Sequence, residues 1–581
     1  MSPPPSIERK SASSESRVQV SEVPVGLSEA DGRHSHGATR NDGEIDRGSV
    51  ESDSDNAVLA ALGYKQEFKR AFTPFETLSL SFTTIGLFPS VATVLVFALS
   101  NGGPVALVWG WAICTFFLTF ALALSELGSA APTSGGLYYW TWDLSSPKWR
   151  KVLAWLVGYT NSMGLIAGFA SLDWGCAVQI MAAASIGSDG GFVPTTANTL
   201  FRDILCSAVF VALICVQGFL ASMATRILAR LQGLYAALNV LLPLAIIIAL
   251  PAATPKEYRN TASYVFSGFE NLNGWPDGFA FVLSFLAPLF VIAGFDSPVH
   301  ISEESHNART AVPWAITGAV ATGGVLGWVV MLVIAFCMGS DIGSILANPI
   351  GQPMATILFN SFGRDGTLAV WSVIVFVQFL MGANALMVAS RQLFAFARDR
   401  AAPFSRFIYR VNRRTRTPVN AVWCAAFVAL LLGLLVFAGP ATYSAIFGVA
   451  LLGQYTAFSI PMAARFLGGK EWHPGPFTLG RFGLPVAVLA VLWMMFSTVI
   501  LTFPTSPGPD KNTMNYTAVV YCGWVGLCLL YYYLPVYGGA CWFNGPQRTV
   551  DEAGLPSLPC PSPEDAVETK GRPSLDEKQV A

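Results

Sequence analysis

Long apolar stretches alternate with short polar segments over most of the chain. Stretches of near twenty hydrophobic residues recur from Phe75 to Ala540, and an α-helix needs about twenty such residues to cross the hydrocarbon core of a bilayer. The pattern predicts an all-α polytopic membrane protein with about twelve spans. In chain order, spans 1 to 12 are predicted at 72–99, 104–127, 152–186, 201–220, 225–250, 279–306, 313–339, 366–396, 419–437, 441–465, 484–503 and 517–540.

Spans 1 and 6 are each interrupted near the middle, by GLFPS at 86–90 and GFDSP at 294–298. Glycine and proline are the weakest helix formers. An open backbone or a carboxylate at membrane depth is tolerated only where it faces protein or a wet cavity. Paired breaks at corresponding positions predict a five-plus-five inverted repeat whose broken helices 1 and 6 line a transport site. The alternative for span 6 is a proline kink at a helix end, with Asp296 in interfacial water.

The two ends of the chain are polar. Residues 1–70 and 541–581 lack an apolar core, and both are predicted to be disordered cytosolic tails. Between them, the transmembrane domain at 71–540 is predicted to contain inverted repeats at about 72–250 and 279–465, followed by added helices at 484–540.

Composition supports a membrane protein, because only 12% of the residues are charged and a soluble protein would carry about 25%. The loops predicted to be inside hold about three times as many Lys and Arg residues as the loops predicted to be outside. This bias predicts that both tails lie in the cytosol. The net charge of −1 gives no indication of a nucleic-acid partner. The ten cysteines form no C-x-x-C pair, and no metal-ligand spacing, catalytic triad or phosphate loop is present. We therefore expect no cofactor, no metal and no enzymatic activity.

The two breaks present complementary helix ends. Pro89 is predicted at the first position of the second half of span 1, which leaves the amides of Ser90 and Val91 facing the gap. The half-helix that ends at Gly294 directs carbonyl groups into the same gap. A small zwitterion with separated charges would match these ends, its carboxylate at the amides and its ammonium at the carbonyls.

Four segments carry a family resemblance: FETLSLSFTTIGLFPSVA at 75–92, SELGSAAPTSGGLYYW at 125–140, GFDSPVHISEESHNA at 294–308 and ASRQLFAFARDRAAP at 389–403. The chain resembles the amino acid–polyamine–organocation superfamily, and within it the fungal amino acid/choline branch with GABA and choline permeases. The resemblance implies secondary active uptake of small amines or amino acids across the plasma or vacuolar membrane, usually coupled to protons. We expect the plasma membrane.

The chain departs from this family's pattern in two places. Many bacterial relatives have closely spaced glycines in broken helix 1, whereas here bulky residues and a proline follow Gly86. Many proton-coupled relatives have a lysine midway along span 5, whereas span 5 here has none, and Asn239 is taken as the nearest polar residue. The coupling ion therefore stays open between proton and sodium, with the proton preferred.

Two intramembrane acids are the main functional candidates. Asp296 could contact a substrate amine or carry a proton, or it could cap the following half-helix. Asp173, the acid deepest in an uninterrupted span, could carry the proton, or it could bond a neighbouring helix. The predicted substrate-binding residues are Thr84, Ile85, Gly86, Leu87, Phe88, Ser90, Asn161, Asp173, Gly294, Phe295, Asp296, Ser297, Asn384 and Tyr455, and the coupling candidates are Asp173, Asp296 and Asn239.

Other charged groups are expected to have no special role. Glu303 and Glu304 are interpreted as solvated loop charges, with pairing to arginines such as Arg391 or Arg398 as the alternative, and His300 as an idle loop histidine. The preferred function is GABA or related amino acid transport. The alternatives are a choline permease, for which Phe88, Trp174, Phe295 and Tyr455 could form an aromatic cage, and a nutrient receptor of the same fold that does not transport.

Overall fold

The computed structural model describes residues 47–117, 120–188, 199–223, 225–438, 440–510 and 514–550. Within these residues the chain is helical and has no strand. Nine described helices are long and apolar enough to cross a membrane, and three shorter apolar helices complete the twelve predicted spans. In chain order these helices are Pro74–Leu99, Gly103–Ala130, Arg150–Gly187, Asp203–Ala221, Thr225–Ala253, Asp277–Val291 (short), Ala308–Cys337, Pro353–Arg398, Val419–Gly433 (short), Ala445–Leu467, Gly480–Ile500 and Thr517–Tyr533 (short). The predicted all-α polytopic membrane fold is confirmed.

Span 1 lies in the centre of the helix assembly. It packs against spans 5, 6, 7 and 8, while span 3 packs against spans 8 and 10. Most of its apolar side chains are consequently buried, as Leu80, Ile85 and Leu87 show with no exposed surface, whereas Phe75 and Val96 near its ends are exposed. A helix that is apolar and largely buried is typical of the core of a large membrane bundle. Spans 11 and 12 pack against span 10 from outside the two repeats.

The outer helices expose large apolar side chains. Phe219, Ile248 and Phe427 are each at least 60% exposed. Such a surface would be an aggregation hazard in water, and it is the surface that a membrane helix turns to lipid.

Short helices follow some of the spans. Gly136–Leu144 follows span 2, and Ser405–Ile408 follows span 8, on the side predicted to be cytosolic.

The helix of span 8 begins at Pro353, earlier than predicted, and continues to Arg398 across a kink at Gly363, where φ is 69°. The positive φ is a conformation that glycine adopts without steric cost.

The predicted tail boundaries are wrong on both sides. Residues 1–46 and 551–581 lie outside the described residues, but Arg47–Ala61 forms a helix, and Tyr64 and Phe68 are at most 2% exposed. Past residue 541, the side chains of Phe543 and Val550 are also buried. A segment with a few apolar residues among many charged ones has a low average hydropathy, yet those apolar residues can still pack into a core. Tail boundaries predicted from composition alone are therefore incorrect.

Candidate functional site

The break in span 1 is a single left-handed residue. Gly86 has φ 51° and ψ 58°, and it ends Pro74–Ile85 and begins Leu87–Leu99. A Cβ at this position would collide with the Met381 side chain of span 8. The break therefore requires glycine both for its backbone conformation and for the close approach of span 8.

The second half of span 1 begins two residues earlier than predicted. Pro89 is its third residue rather than its first, and the Ser90 amide donates to the Gly86 carbonyl at 2.9 Å. The prediction that Ser90 and Val91 present free amides is therefore wrong. Helix geometry instead leaves the amides of Leu87 and Phe88 at the positive end.

The break in span 6 is a longer irregular segment. Leu286–Val291 ends before it and Ser297–His300 begins after it. Gly294 has φ 78°, and a Cβ there would lie 2.9 Å from Thr84 Cγ2 of span 1. The Phe295 carbonyl accepts from Ser81 Oγ at 3.3 Å. These contacts bring the two breaks against each other, as predicted from their corresponding positions.

Asp296 does not cap the half-helix that follows it. The residue occupies the N-cap position, but its side chain makes no cap hydrogen bond, so the capping alternative is wrong. Its Oδ2 lies 3.2 Å from His300 Nε2, and its Oδ1 is buried without a hydrogen-bond partner among the described residues. A buried carboxylate oxygen that lacks a donor is costly, which is a reason to expect a ligand there.

Asn161 of span 3 completes this group. Its Nδ2 lies 3.5 Å from His300 Nε2, and its Oδ1 is another buried acceptor without a described partner. Asp296, His300 and Asn161 all have no exposed surface. The structure thus joins two predicted site residues through a histidine that the sequence analysis set aside.

Aromatic rings from spans 2, 6 and 10 form one wall beside the break. Phe120 contacts Phe295 and Tyr455, with ring centroids 5.6 and 6.0 Å apart, and Phe295 also contacts Phe458 at 5.5 Å. The buried Tyr455 hydroxyl has no described hydrogen-bond partner.

The remaining two rings of the expected cage are not part of that wall. Trp174 packs on Phe210 of span 4, and among the described residues no ring contact links Phe88 to the wall.

Asn384 of span 8 is bonded to another side chain. It exchanges two hydrogen bonds with Gln232 of span 5, at 2.8 and 3.0 Å, and Gln232 Oε1 also lies 3.4 Å from Thr83 Oγ1 of span 1. Gln232, rather than Asn239, is therefore the polar residue of span 5 that reaches span 1. Asn239 donates to Tyr235 in its own helix.

Asp173 lies on a different side of span 3. Gln217 of span 4 donates to its Oδ1 at 2.8 Å, and a Cβ on Gly382 of span 8 would collide with the same oxygen. Gly382 neighbours Met381, the residue that covers Gly86. The described contacts of the Asp173 carboxylate are therefore with spans 4 and 8.

The chain was compared with known proteins. A family model described as amino acid permease matches residues 72–525. The chain belongs to this amino acid permease family. It is 36% identical over 512 residues to a GABA-specific permease of Saccharomyces cerevisiae, an alignment that covers 87% of this chain and 88% of the relative.

Two further relatives are named as amino-acid permeases. One from Schizosaccharomyces pombe is 37% identical, with 88% of this chain and 92% of the relative covered. One from Arabidopsis thaliana is 31% identical, with 85% and 96% covered. All of these relatives are permeases, so the chain is a membrane transport protein and not an enzyme.

Buried ion pairs close the end of the bundle that the Lys/Arg pattern predicts to be cytosolic, called the inner face from here on. Arg398 of span 8 makes two hydrogen bonds to Glu303, at 2.9 and 3.0 Å, and Arg391 Nε donates to Glu304 Oε1 at 2.8 Å. All four side chains are at most 1% exposed. The expectation that Glu303 and Glu304 are solvated is wrong, and the pairing alternative is correct.

Further contacts bind the ends of the chain to this inner face. The Tyr64 ring lies 3.8 Å from the Arg398 guanidinium carbon, and its hydroxyl donates to Asp399 at 3.0 Å. The backbone amide of Gln547 donates to the other oxygen of Asp399 at 3.0 Å. Burial raises the pKa of Asp399 to about 6.

The predicted site residues at and around the two breaks are closed off from solvent. Ile85, Leu87, Phe88, Ser90 and Ser297 have no exposed surface, and Thr84, Phe295, Asn384 and Tyr455 are at most 6% exposed. A substrate held among them would be occluded from both sides of the membrane. Gln232 and His300 are not among the predicted site residues. Each is a polar residue on an otherwise apolar or broken helix, and that feature was the available signal.

Proposed function

We propose that this permease is a secondary active transporter that takes up GABA or a related small amino acid together with protons. The observation that carries the proposal is the buried, unpartnered Asp296 Oδ1 at the facing breaks of spans 1 and 6. A fully desolvated acceptor at this position suits an ammonium group. The name of the Saccharomyces relative agrees with a GABA-like substrate.

The two breaks would hold the two ends of the zwitterion. Asp296 Oδ1 and the carbonyls at the end of Leu286–Val291 face the ammonium, because a helix C-terminus carries partial negative charge. The amides of Leu87 and Phe88 begin the second half of span 1 and suit the carboxylate. The ring wall beside Phe295 would enclose the apolar part of the substrate.

The location and orientation are part of the same proposal. Both chain ends lie in the cytosol, since Lys and Arg are concentrated in the loops beside Glu303 and Arg398. The plasma membrane follows from the family resemblance rather than from these charges. Uptake from outside then ends with opening of the buried ion pairs at the inner face.

Labelled GABA uptake into cells that lack their own GABA transport tests the proposal. We expect saturable uptake that rises with external acidity, persists when sodium is replaced, and is reduced by unlabelled amino acids more than by choline. Reduction by choline alone would support a choline permease. Binding of the labelled compound without uptake would contradict transport and indicate a receptor, and dependence on sodium without dependence on pH would contradict proton coupling.

A further inference from the structure

His300 makes a contact with each ring nitrogen. Its Nδ1 lies 3.1 Å from the Ser134 carbonyl oxygen, and its Nε2 lies 3.2 Å from Asp296 Oδ2. A carbonyl oxygen only accepts hydrogen bonds, so Nδ1 carries a hydrogen. The remaining position, between Nε2 and Oδ2, then holds either one further proton or none.

The shared proton gives the same net charge whichever atom holds it. With the proton on Nε2 the pair is an imidazolium and a carboxylate, and with the proton on Oδ2 it is a neutral imidazole and a carboxylic acid. Both forms are neutral overall. Without the proton the pair carries one negative charge, and both side chains have no exposed surface.

The charged groups near this pair do not offset that negative charge. Asn161 from span 3 and Ser134 from the loop after span 2 are neutral. Glu303 lies on the far side of Ser134, where its Oε1 accepts from the Ser134 amide at 3.0 Å, and it is already paired with Arg398.

The occluded conformation therefore favours a proton on the pair. Burying an uncompensated charge is unfavourable, and buried groups neutralise instead. A zwitterionic substrate adds no net charge, so the loaded, occluded site is neutral only when the proton is present.

We propose that Asp296 and His300 together form the binding site of the coupled proton, an inference that rests on the proposed function. Ser134 connects this site to the inner face. Its carbonyl accepts from His300 and its amide donates to Glu303. A change in the proton state of the pair thus acts directly on the residue that holds the inner ion pair.

Asn161 stabilises the state that has lost the proton. Nε2 without a hydrogen is an acceptor, and Asn161 Nδ2 is the donor 3.5 Å away. Release of the proton toward the cytosol therefore leaves no unsatisfied nitrogen on His300.

The test uses the purified full chain in liposomes with labelled GABA. One assay measures accumulation driven by an acid exterior, and a second measures exchange against unlabelled GABA inside, with no pH gradient. The variant is His300→Gln, because glutamine can still donate to the Ser134 carbonyl but cannot carry the proton. The control is His306→Gln, the same substitution at a half-buried histidine.

For His300→Gln we expect both accumulation and exchange to fall well below the parent level, because Asp296 without His300 carries its negative charge into the occluded site. His306→Gln should retain both activities. Accumulation by His300→Gln at the parent level overturns the inference and leaves the proposed function intact. A parent protein that neither accumulates nor exchanges GABA overturns the proposed function, and this inference with it.

A second variant applies if His300→Gln fails to reach the membrane. Asn161→Leu removes the donor to unprotonated Nε2, so the midpoint of uptake against pH should move to alkaline pH by up to about one unit. An unchanged midpoint, or one that moves to acid pH, overturns the inference.

Discussion

Replacement of Glu303 by Gln tests whether the buried ion pair holds the inner face closed. Glutamine keeps the size of the side chain and can still accept from Arg398 and from the Ser134 amide. It removes the negative charge that faces a guanidinium only 1% exposed. The substitution therefore leaves an uncompensated buried charge without creating a cavity.

The expected magnitude follows from the burial of the pair. Removing one partner of a buried pair costs about 3–5 kcal/mol, and the retained hydrogen bonds favour the lower end. Because each 1.4 kcal/mol is a factor of ten in an equilibrium constant, about 3 kcal/mol raises the open fraction of the inner face about 100-fold.

Hydrogen exchange of the purified protein measures that opening. The amides of Ser134 and Phe72 donate to groups of the inner face, and their exchange should accelerate about 100-fold in Glu303→Gln. The double variant Glu303→Gln/Arg398→Gln removes both charges of this pair, so it should recover part of the protection. The buried Asp399 keeps its hydrogen bonds to Tyr64 and Gln547 but loses the nearby guanidinium. The control is Glu471→Gln, at an exposed carboxylate.

The outcome that would refute this reasoning is additivity. If the double variant exchanges as fast as the sum of the two single variants predicts, the pair does not act as a unit. Unchanged exchange in Glu303→Gln would show that other contacts close the inner face.

Three further predictions concern the breaks, the substrate amine and the ends of the chain. Gly86→Val and Gly294→Val should abolish uptake with normal expression, because both glycines have positive φ and valine does not tolerate a positive φ. The control Gly278→Val, where a side chain would enter open space, should transport. Uptake by both break variants would contradict the assignment of the site to the two breaks. Asp296→Asn should weaken apparent affinity for GABA by roughly 10- to 100-fold, since a charge-assisted hydrogen bond contributes ~1.5–3 kcal/mol, and an unchanged concentration dependence of uptake would exclude that contact. Burial raises the pKa of Asp399 to about 6, so the packing around it is most stable at acid pH and loses stability as pH rises through about 6. Hydrogen exchange at residues 545–549, corrected for the intrinsic rate, should therefore be faster at about pH 7.5 than at about pH 5 in the parent. In Asp399→Asn the corrected exchange should be independent of pH.

The span pattern and the two breaks could be predicted from sequence because both are local. A run of about twenty apolar residues is long enough to cross the bilayer, and a glycine a few residues before a proline inside such a run favours an interruption. The position of Pro89 was less predictable. The structure resumes the helix at Leu87 because Gly86 itself supplies the left-handed turn, so the proline is only the third residue of the new helix.

The partners of polar side chains could not be predicted, since they depend on how distant spans pack. His300 is four residues from Asp296 in a segment that reads as a loop, and only the packing of span 3 and the inner loop buries it. Gln232 sits two residues after Arg230 near the start of span 5, where the sequence suggests an interfacial residue. The structure instead directs it between Thr83 and Asn384.

Charge neutrality connects the site to the inner face of this permease. Asp296 with His300, Glu303 with Arg398 and Glu304 with Arg391 are stacked along the inner half of span 6 and its continuation, all without access to solvent. In two of these pairs the partner of the carboxylate is an arginine, which does not lose its proton. The Asp296–His300 pair is neutral only when it holds a proton. The proton state of this one pair therefore decides whether the inner half of the broken helix can be buried without net charge, and a transported zwitterion can be enclosed only in that state.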